Sequence, residues 1–396
     1  MTGNTTSVPG DTPGPVLIAG GRVIDPASDF DDIADVAIDA GRIVAVGRDL
    51  ARQPGATVID AGGQIVTPGL IDLHTHVYWG GTSLGVDPAA IAARSGCTTM
   101  VDAGSAGAGN LAGFKAHVVE PCPVRVLAFL NVSFPGIFAF SKNVMVGECG
   151  NMALVHAGEA LEAARAEPDL VRGIKVRVGR FGGGESGVAP LDIAIEVAEE
   201  LDLPVMAHLD FPPPSRRDVL SRLRPGDVLT HCFRPFPNAP VRRDRRIRDE
   251  IWEARQRGVL MDIGHGAGSF AFYVGEAALA DDFPPDIISS DVHCLSVDGP
   301  AFDLTTTMSK FVNLGMALPD VIRTVTVAPA DVLRRPDLGR LSAGATADVA
   351  ILAEESGSFE FTDILGKTLH GSTRLAVRNM VVGGRVWDAA RHAAAS

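Results

Sequence analysis

From residue 67 to residue 341 short apolar runs of strand length alternate with stretches whose apolar residues recur at helical spacing. That alternation restricts the fold more than any other feature of the chain. Eight runs qualify as candidate strands: Leu70 to His76, Thr98 to Ala103, Val124 to Asn131, Gly173 to Val178, Val205 to Leu209, Val228 to His231, Val259 to Ile263, and Ile287 to Asp291. The connector Leu191 to Leu201 has helical periodicity and is followed by Pro204, a helix-stop signal. Strands joined by crossover helices run parallel, so the expected class is α/β and the expected fold a (β/α)8 TIM barrel. An open doubly wound sheet is the competitor, but it usually carries a glycine-rich phosphate turn after its first strand, where this chain has histidines. Gly182-Gly183-Gly184 follows the fourth run without the Lys-Ser/Thr pair of a phosphate loop and reads as an active-site loop.

The flanks have a different texture. Between Val16 and Val66 short β-like runs are punctuated by Gly and Asp, as in Ala19-Gly20-Gly21-Arg22-Val23-Ile24-Asp25, and the same texture returns at Asp348 to Leu352 and Ala376 to Trp387. We expect one small β-sandwich domain built from residues 16–66 plus 342–396, a barrel over 67–341, and a disordered leader over 1–15. The leader lacks the basic start and apolar stretch of a signal peptide.

With 46% hydrophobic residues the chain has ample material for a core, and no run approaches the ~20 apolar residues of a membrane span. A formal charge of -13 argues against a nucleic-acid surface and against an anionic membrane. Five cysteines without Cys-x-x-Cys spacing read as reduced, mostly buried thiols, and the expected location is the cytoplasm.

Barrel active sites form at the C-terminal ends of the strands. There the first run offers His74 and His76, the fourth Lys175 and Arg177, the fifth His208, the sixth His231 and the eighth Asp291. In a strand, residues i and i+2 share a face, so His74 and His76 can grip one metal ion, and Asp72 is a candidate to orient a ligand's second ring nitrogen. Any one of these residues alone reads equally well as a loop or helix cap. Their shared position on one rim turns weak signals into a strong one.

Lys175 cannot ligate a cation as an ammonium. In the apolar run Gly173-Ile174-Lys175-Val176-Arg177-Val178 burial lowers its pKa, and a neutral amine can react with carbon dioxide to give a carbamate able to bridge two metals. A salt bridge to a barrel aspartate is the other reading. Five lysines against 30 arginines favour a chemical role for this one.

Taken together, the glycine-punctuated flank, the run Pro68-Gly69-Leu70-Ile71-Asp72-Leu73-His74-Thr75-His76 and the order Lys, His, His, Asp resemble the amidohydrolase superfamily of binuclear metal hydrolases, in particular its dihydroorotase-like deacetylase-type members. The resemblance implies two divalent metal ions, zinc, with one held by His74, His76 and Asp291, a second by His208 and His231, and an N6-carboxylated Lys175 between them. It implies cleavage of an amide or ester (N- or O-acyl) bond of a small carboxylate by a metal-bridging hydroxide, with Asp291 moving the proton. Hydrolysis of a cyclic amide, imide or lactone is the alternative, and a non-catalytic scaffold a third reading. True dihydroorotases place an arginine two residues after the second histidine, where this chain has Tyr78. Arg177, on the rim side of Lys175, is the candidate partner for a small anionic substrate. Tyr78, Asn131, Ser133 and His265 are further candidate substrate contacts, with Phe134, Phe138 and Phe140 as candidate pocket walls. Symmetric homo-oligomers are common in the superfamily.

Overall fold

The computed structural model describes residues 12–387, so residues 1–11 of the expected leader and 388–396 of the expected small domain lie outside it. The N-terminal flank forms β1 (Val16–Asp25), β2 (Phe30–Asp39), β3 (Arg42–Gly47), β4 (Thr57–Asp60) and β5 (Ile65–Pro68). β1 and β2 pair antiparallel, with Val16 opposite Ile38 and Asp25 opposite Phe30.

Seven of the eight candidate runs become parallel strands in chain order: β6 (Leu70–Thr75), β7 (Cys97–Gly107), β8 (Arg125–Asn131), β9 (Val171–Val178), β10 (Val205–Leu209), β11 (Val228–Thr230) and β12 (Leu260–Met261). Outside them lie helices such as Ala189–Leu201, which starts with a proline in its first turn and ends on Asp202 in the left-handed region at φ 51°. It buries Leu191, Ala194, Val197 and Ala198.

The eighth run, Ile287 to Asp291, is not a regular strand, yet it closes the barrel. On one side Ile263 N–H donates to Ile287 O (3.1 Å) and Gly266 N–H to Ser290 O (2.9 Å). On the other, Asp291 N–H donates to His74 O (2.8 Å) and His76 N–H to Val292 O (3.0 Å). Asp291 itself has φ 47°, outside the β region, so the ladder cannot run on regularly through it.

The chain returns to the first sheet as β13 (Val349–Thr362), β14 (Thr368–Val382) and β15 (Arg385–Val386). Both flanks therefore build one mixed eight-stranded sheet in the order β15-β14-β13-β5-β1-β2-β3, with β4 beside β1. β5 is its hinge point: it runs parallel to β1, antiparallel to β13, and leads straight into β6. Among the described residues no helix is long and apolar enough to cross a membrane, and all five cysteines are free thiols.

A buried lysine locks the barrel to β13. Lys310, on helix Leu304–Asn313 and wholly enclosed, donates from Nζ to Pro300 O (2.7 Å), Thr362 O (2.9 Å) and His265 Nε2 (2.7 Å). Burial pulls its pKa down to about 7, so the unfolded chain binds the proton more tightly than the native state does. Wild-type stability relative to Lys310→Met should therefore rise between pH 7 and 9, by about 1 kcal/mol per pH unit at most. Parallel urea titrations of the two proteins across that range test this, and a flat difference would refute it.

Candidate metal centre

Closing the barrel brings the ends of its first and last strands together. His74, His76 and Asp291 offer ligand atoms all within 4.8 Å of one another, and each of the three is buried. Asp291 Oδ1 lies 3.4 Å from His74 Nε2 and 3.2 Å from His76 Nε2. The His231 ring stands 5.1 Å from His74, centroid to centroid, and 4.4 Å edge-on from His208.

Hydrogen bonds on the outer nitrogens decide which ring atoms face inward. Thr230 Oγ1 gives its proton to Asp262 Oδ2 (2.7 Å), so it accepts from His74 Nδ1–H at 2.8 Å, and His74 Nε2 is left as a bare lone pair. His231 Nδ1–H donates to Gly264 O (2.7 Å), which leaves its Nε2 unprotonated too. His76 Nδ1 is held by Ser105 Oγ at 2.9 Å. Asp72, the residue expected to orient a ligand, instead binds Ser290, accepting from its N–H (3.0 Å) and its Oγ–H (2.5 Å). Two residues of strand rise separate it from His74, about 6.6 Å along the chain, so its carboxylate meets the neighbouring segment one layer down.

Burial pulls His74, His208 and His231 well below the ordinary histidine range and His76 to about 3, so all four are neutral. Nε2 of His208 is buried without a hydrogen-bond partner, 3.8 Å from Asp210 Oδ2. Neutral imidazole lone pairs gathered round a carboxylate are an assembly of acceptors short of a donor. Such a set fits a divalent cation, and nitrogen with oxygen ligands suits zinc. Lys175 lies among them, its Nζ 3.3 Å from His74 Nε2 and 3.4 Å from Met206 Sδ. Burial lowers its pKa to about 8.

Close backbone approach makes room for these side chains. A Cβ on Gly104 (φ +86°) would lie 2.6 Å from Lys175 Cγ, and one on Gly266 (φ +50°) 2.2 Å from Asp291 Oδ2. His231 and Asp291 themselves adopt left-handed φ of 63° and 47°, a strain that persists where surrounding contacts over-determine the backbone.

The cluster forms the floor of a cavity of about 550 Å³. Its walls include Leu84, Ile137, Phe140, Met145, Phe181 and Phe211, with Arg177, Arg234 and His293 as polar groups. Arg177 lines it as expected, but its Nη1 is already paired with Glu148 Oε2 at 3.2 Å. The other candidate substrate contacts stand back from the cavity wall. Tyr78 packs on Phe114 and donates to Asn110 O (3.2 Å). Asn131 donates to Gly104 O (3.0 Å) and lies 3.4 Å from Glu148 Oε1, while Ser133 Oγ donates to Glu148 O (2.7 Å). Both thus support the partner of Arg177 from behind. His265 is fully buried, turned to Lys310 and Gly266 O. Of the three phenylalanines only Phe140 reaches the cavity; Phe134 and Phe138 are partly exposed elsewhere.

Sequence reasoning passed over Glu148, Asp262, Thr230, Ser105 and Arg234. Thr230 precedes His231 and Arg234 follows three residues later, and Asp262 lies in the seventh run, so these three carried a positional signal; Ser105 lies on β7 and Glu148 on a loop whose fold over the fourth strand has no local signature. Because Gly266 cradles Asp291, Gly266→Ala should lower the content of bound divalent metal at equal protein while far-ultraviolet circular dichroism stays unchanged. Elemental analysis after dialysis checks it, and full metal retention would refute the cradle.

The amidohydrolase family signature matches residues 57–117. A deacetylase of Agrobacterium fabrum is 35% identical over 352 residues, covering 89% of this chain and 86% of that protein. A deacetylase of Enterococcus faecalis is 32% identical over 357 residues, covering 89% and 95%. Among solved structures, a dihydroorotase superposes with a TM-score of 0.86 at 33% identity, covering 94% of this chain and 98% of that one. Similarity of this extent, over nearly the full length of each partner, means that the chain belongs to the amidohydrolase superfamily of metal-dependent hydrolases.

Proposed function

We propose that the protein hydrolyses the acyl amide or ester bond of a small carboxylate at a two-metal centre. The observation that carries this reading is the set of inward lone pairs on the floor of a largely apolar cavity that two guanidinium groups, Arg177 and Arg234, also line. In it His74, His76 and Asp291 would hold one divalent ion and His208 and His231 a second, and their nitrogen-rich set favours zinc.

A carboxylated Lys175 would supply an anionic ligand between the two sets. Its neutral Nζ attacks the carbon of carbon dioxide, an N–C bond forms as one C=O π pair moves onto oxygen, one amine proton leaves to solvent, and the neutral amine becomes an anionic carbamate. When bound, the two cations supply a hydroxide nucleophile near neutral pH and polarise the scissile carbonyl. Asp291 receives the proton of the attacking water on its carboxylate and passes it to the departing amine or alkoxide. The apolar walls exclude bulk water and orient the acyl group.

The full-length deacetylase relatives support acyl cleavage. The structural likeness to a dihydroorotase supports ring opening as the second reading. Tyr78 weighs against it, since at that position dihydroorotases carry the arginine that holds the substrate carboxylate and here the side chain is turned into the core.

A panel of N-acyl amino acids and O-acyl hydroxy acids, set against hydantoin, dihydroorotate and lactones, separates the two. Turnover confined to the acyl panel is expected, and turnover confined to the rings would overturn the assignment. The zinc-grown protein should hold two equivalents of metal per chain and carry the mass of one carbon dioxide that Lys175→Ala lacks. Asp291→Asn protein that keeps its metal should lose roughly 10²- to 10⁴-fold in kcat with little change in KM. Near-normal turnover would exclude the proton role.

A further inference from the structure

Two guanidinium groups face the cavity, and their surroundings differ. Arg177 is neutralised on the spot: its partner Glu148 is fully buried, at 3.2 Å, and is itself within reach of Asn131. Arg234 has no such partner. It lies three residues beyond His231, on the loop after β11, and no carboxylate among the described residues comes within ion-pair distance of it.

Its contacts are two, and both hold the group without cancelling its charge. Nη1–H donates to Leu209 O, and the guanidinium stands 5.9 Å from the centroid of the Phe211 ring. The nearest acidic influences, Asp210 and Asp291, are committed elsewhere. Asp210 Oδ2 accepts from Gly182 N–H (2.9 Å) and Oδ1 from Phe181 N–H (3.2 Å), while Asp291 Oδ1 faces His74 and His76. Arg234 is therefore a largely enclosed positive charge without a counter-ion, beside a second cation and against apolar walls.

Enclosing an unpaired charge is costly, and the cost is relieved when an anion arrives. A guanidinium anchored through one nitrogen keeps its remaining N–H groups in a fixed fork, which matches the two oxygens of a carboxylate. The low-polarity walls of Phe140, Phe181 and Phe211 strengthen that attraction.

We propose that Arg234, rather than Arg177, is the residue that binds the substrate carboxylate and so sets the preference for acids, with Arg177 a positioning residue held by Glu148. This rests on the reading of the protein as an acyl hydrolase of small carboxylates. The acyl group then lies over the His74, His76 and Asp291 cluster, and the carboxylate toward the β11 loop.

The test uses the zinc-loaded enzyme, the best acylated acid from the panel, and the methyl ester of that same acid. Wild-type kcat/KM should favour the acid, and Arg234→Met should erase the preference through a roughly 10- to 100-fold rise in KM for the acid, the size expected for loss of charge-assisted hydrogen bonds. KM for the ester and the zinc content should stay near wild type. Arg234→Lys should restore part of the preference, because charge returns without the fork, and it serves as the decisive variant if Arg234→Met does not fold. Arg177→Met should lower turnover of acid and ester together and keep their ratio. A preserved acid preference in Arg234→Met, an undiminished one in Arg234→Lys, or its loss in Arg177→Met alone, overturns the assignment while leaving the acyl-hydrolase reading intact. A wild-type enzyme that treats acid and ester alike overturns the carboxylate-substrate reading itself.

Discussion

Everything chemical in this molecule depends on the seam between β6 and residues 287–292. His74 sits on the first strand of the barrel, His76 just beyond it, and Asp291 at the end of the closing segment, so only closure can bring the three within 4.8 Å. The seam is made by Asp291 N–H on His74 O, His76 N–H on Val292 O, and Asp72 gripping Ser290 one layer below. Its irregularity follows from its task. A regular strand would have kept Asp291 in the β region, whereas φ 47° places a conformation of roughly 1–3 kcal/mol strain at the residue that meets both histidines. Each backbone hydrogen bond across the seam contributes about 1 kcal/mol, and several together offset that strain.

Around the seam one buried carboxylate organises a polar layer. Asp262 accepts from Thr230 Oγ (2.7 Å) and Ser289 Oγ (2.6 Å), and because Thr230 has spent its proton there it accepts from His74. The tautomer of a first-strand histidine is thus fixed by a seventh-strand aspartate through a sixth-strand threonine. Buried networks whose members are all satisfied are rigid, and rigidity is what keeps unprotonated nitrogens aimed at one point. Ser289 belongs to the same segment that closes the barrel, so closure and ligand orientation are two consequences of one set of bonds.

Much of this was legible in the sequence, for identifiable reasons. Strand and helix periodicities differ enough to mark the parallel barrel, and metal ligation needs residue types that are conspicuous at strand ends. The seam was half visible: the run Ile287 to Asp291 was found, but its broken geometry follows from a backbone conformation that composition does not encode. Asp72 was misplaced because alternation tells which face a side chain shares, while the layer it reaches depends on the neighbouring segment. Tyr78, His265 and Ser133 were expected at the cavity because they lie close in sequence to rim positions; the loops that carry them turn inward, and Tyr78 spends its ring against Phe114. Glu148 belongs to a loop folded back on the fourth strand, a juxtaposition with no local sequence signature.

The scarcity of lysine in an arginine-rich chain suggested a chemical task for Lys175, and the structure shows why scarcity is insufficient as a criterion. Lys310 is equally buried, yet its Nζ lies within hydrogen-bond distance of three good acceptors, Pro300 O, Thr362 O and His265 Nε2. Lys175 receives nothing comparable. Its Nζ has a histidine nitrogen at 3.3 Å, one of the inward-facing lone pairs of the candidate metal site, and a thioether at 3.4 Å, which is a weak acceptor. A lysine kept for structure is satisfied by the fold around it, and a lysine kept for reaction is not. By that measure the two buried lysines separate, and the separation supports carboxylation at Lys175 on grounds that frequency alone does not provide.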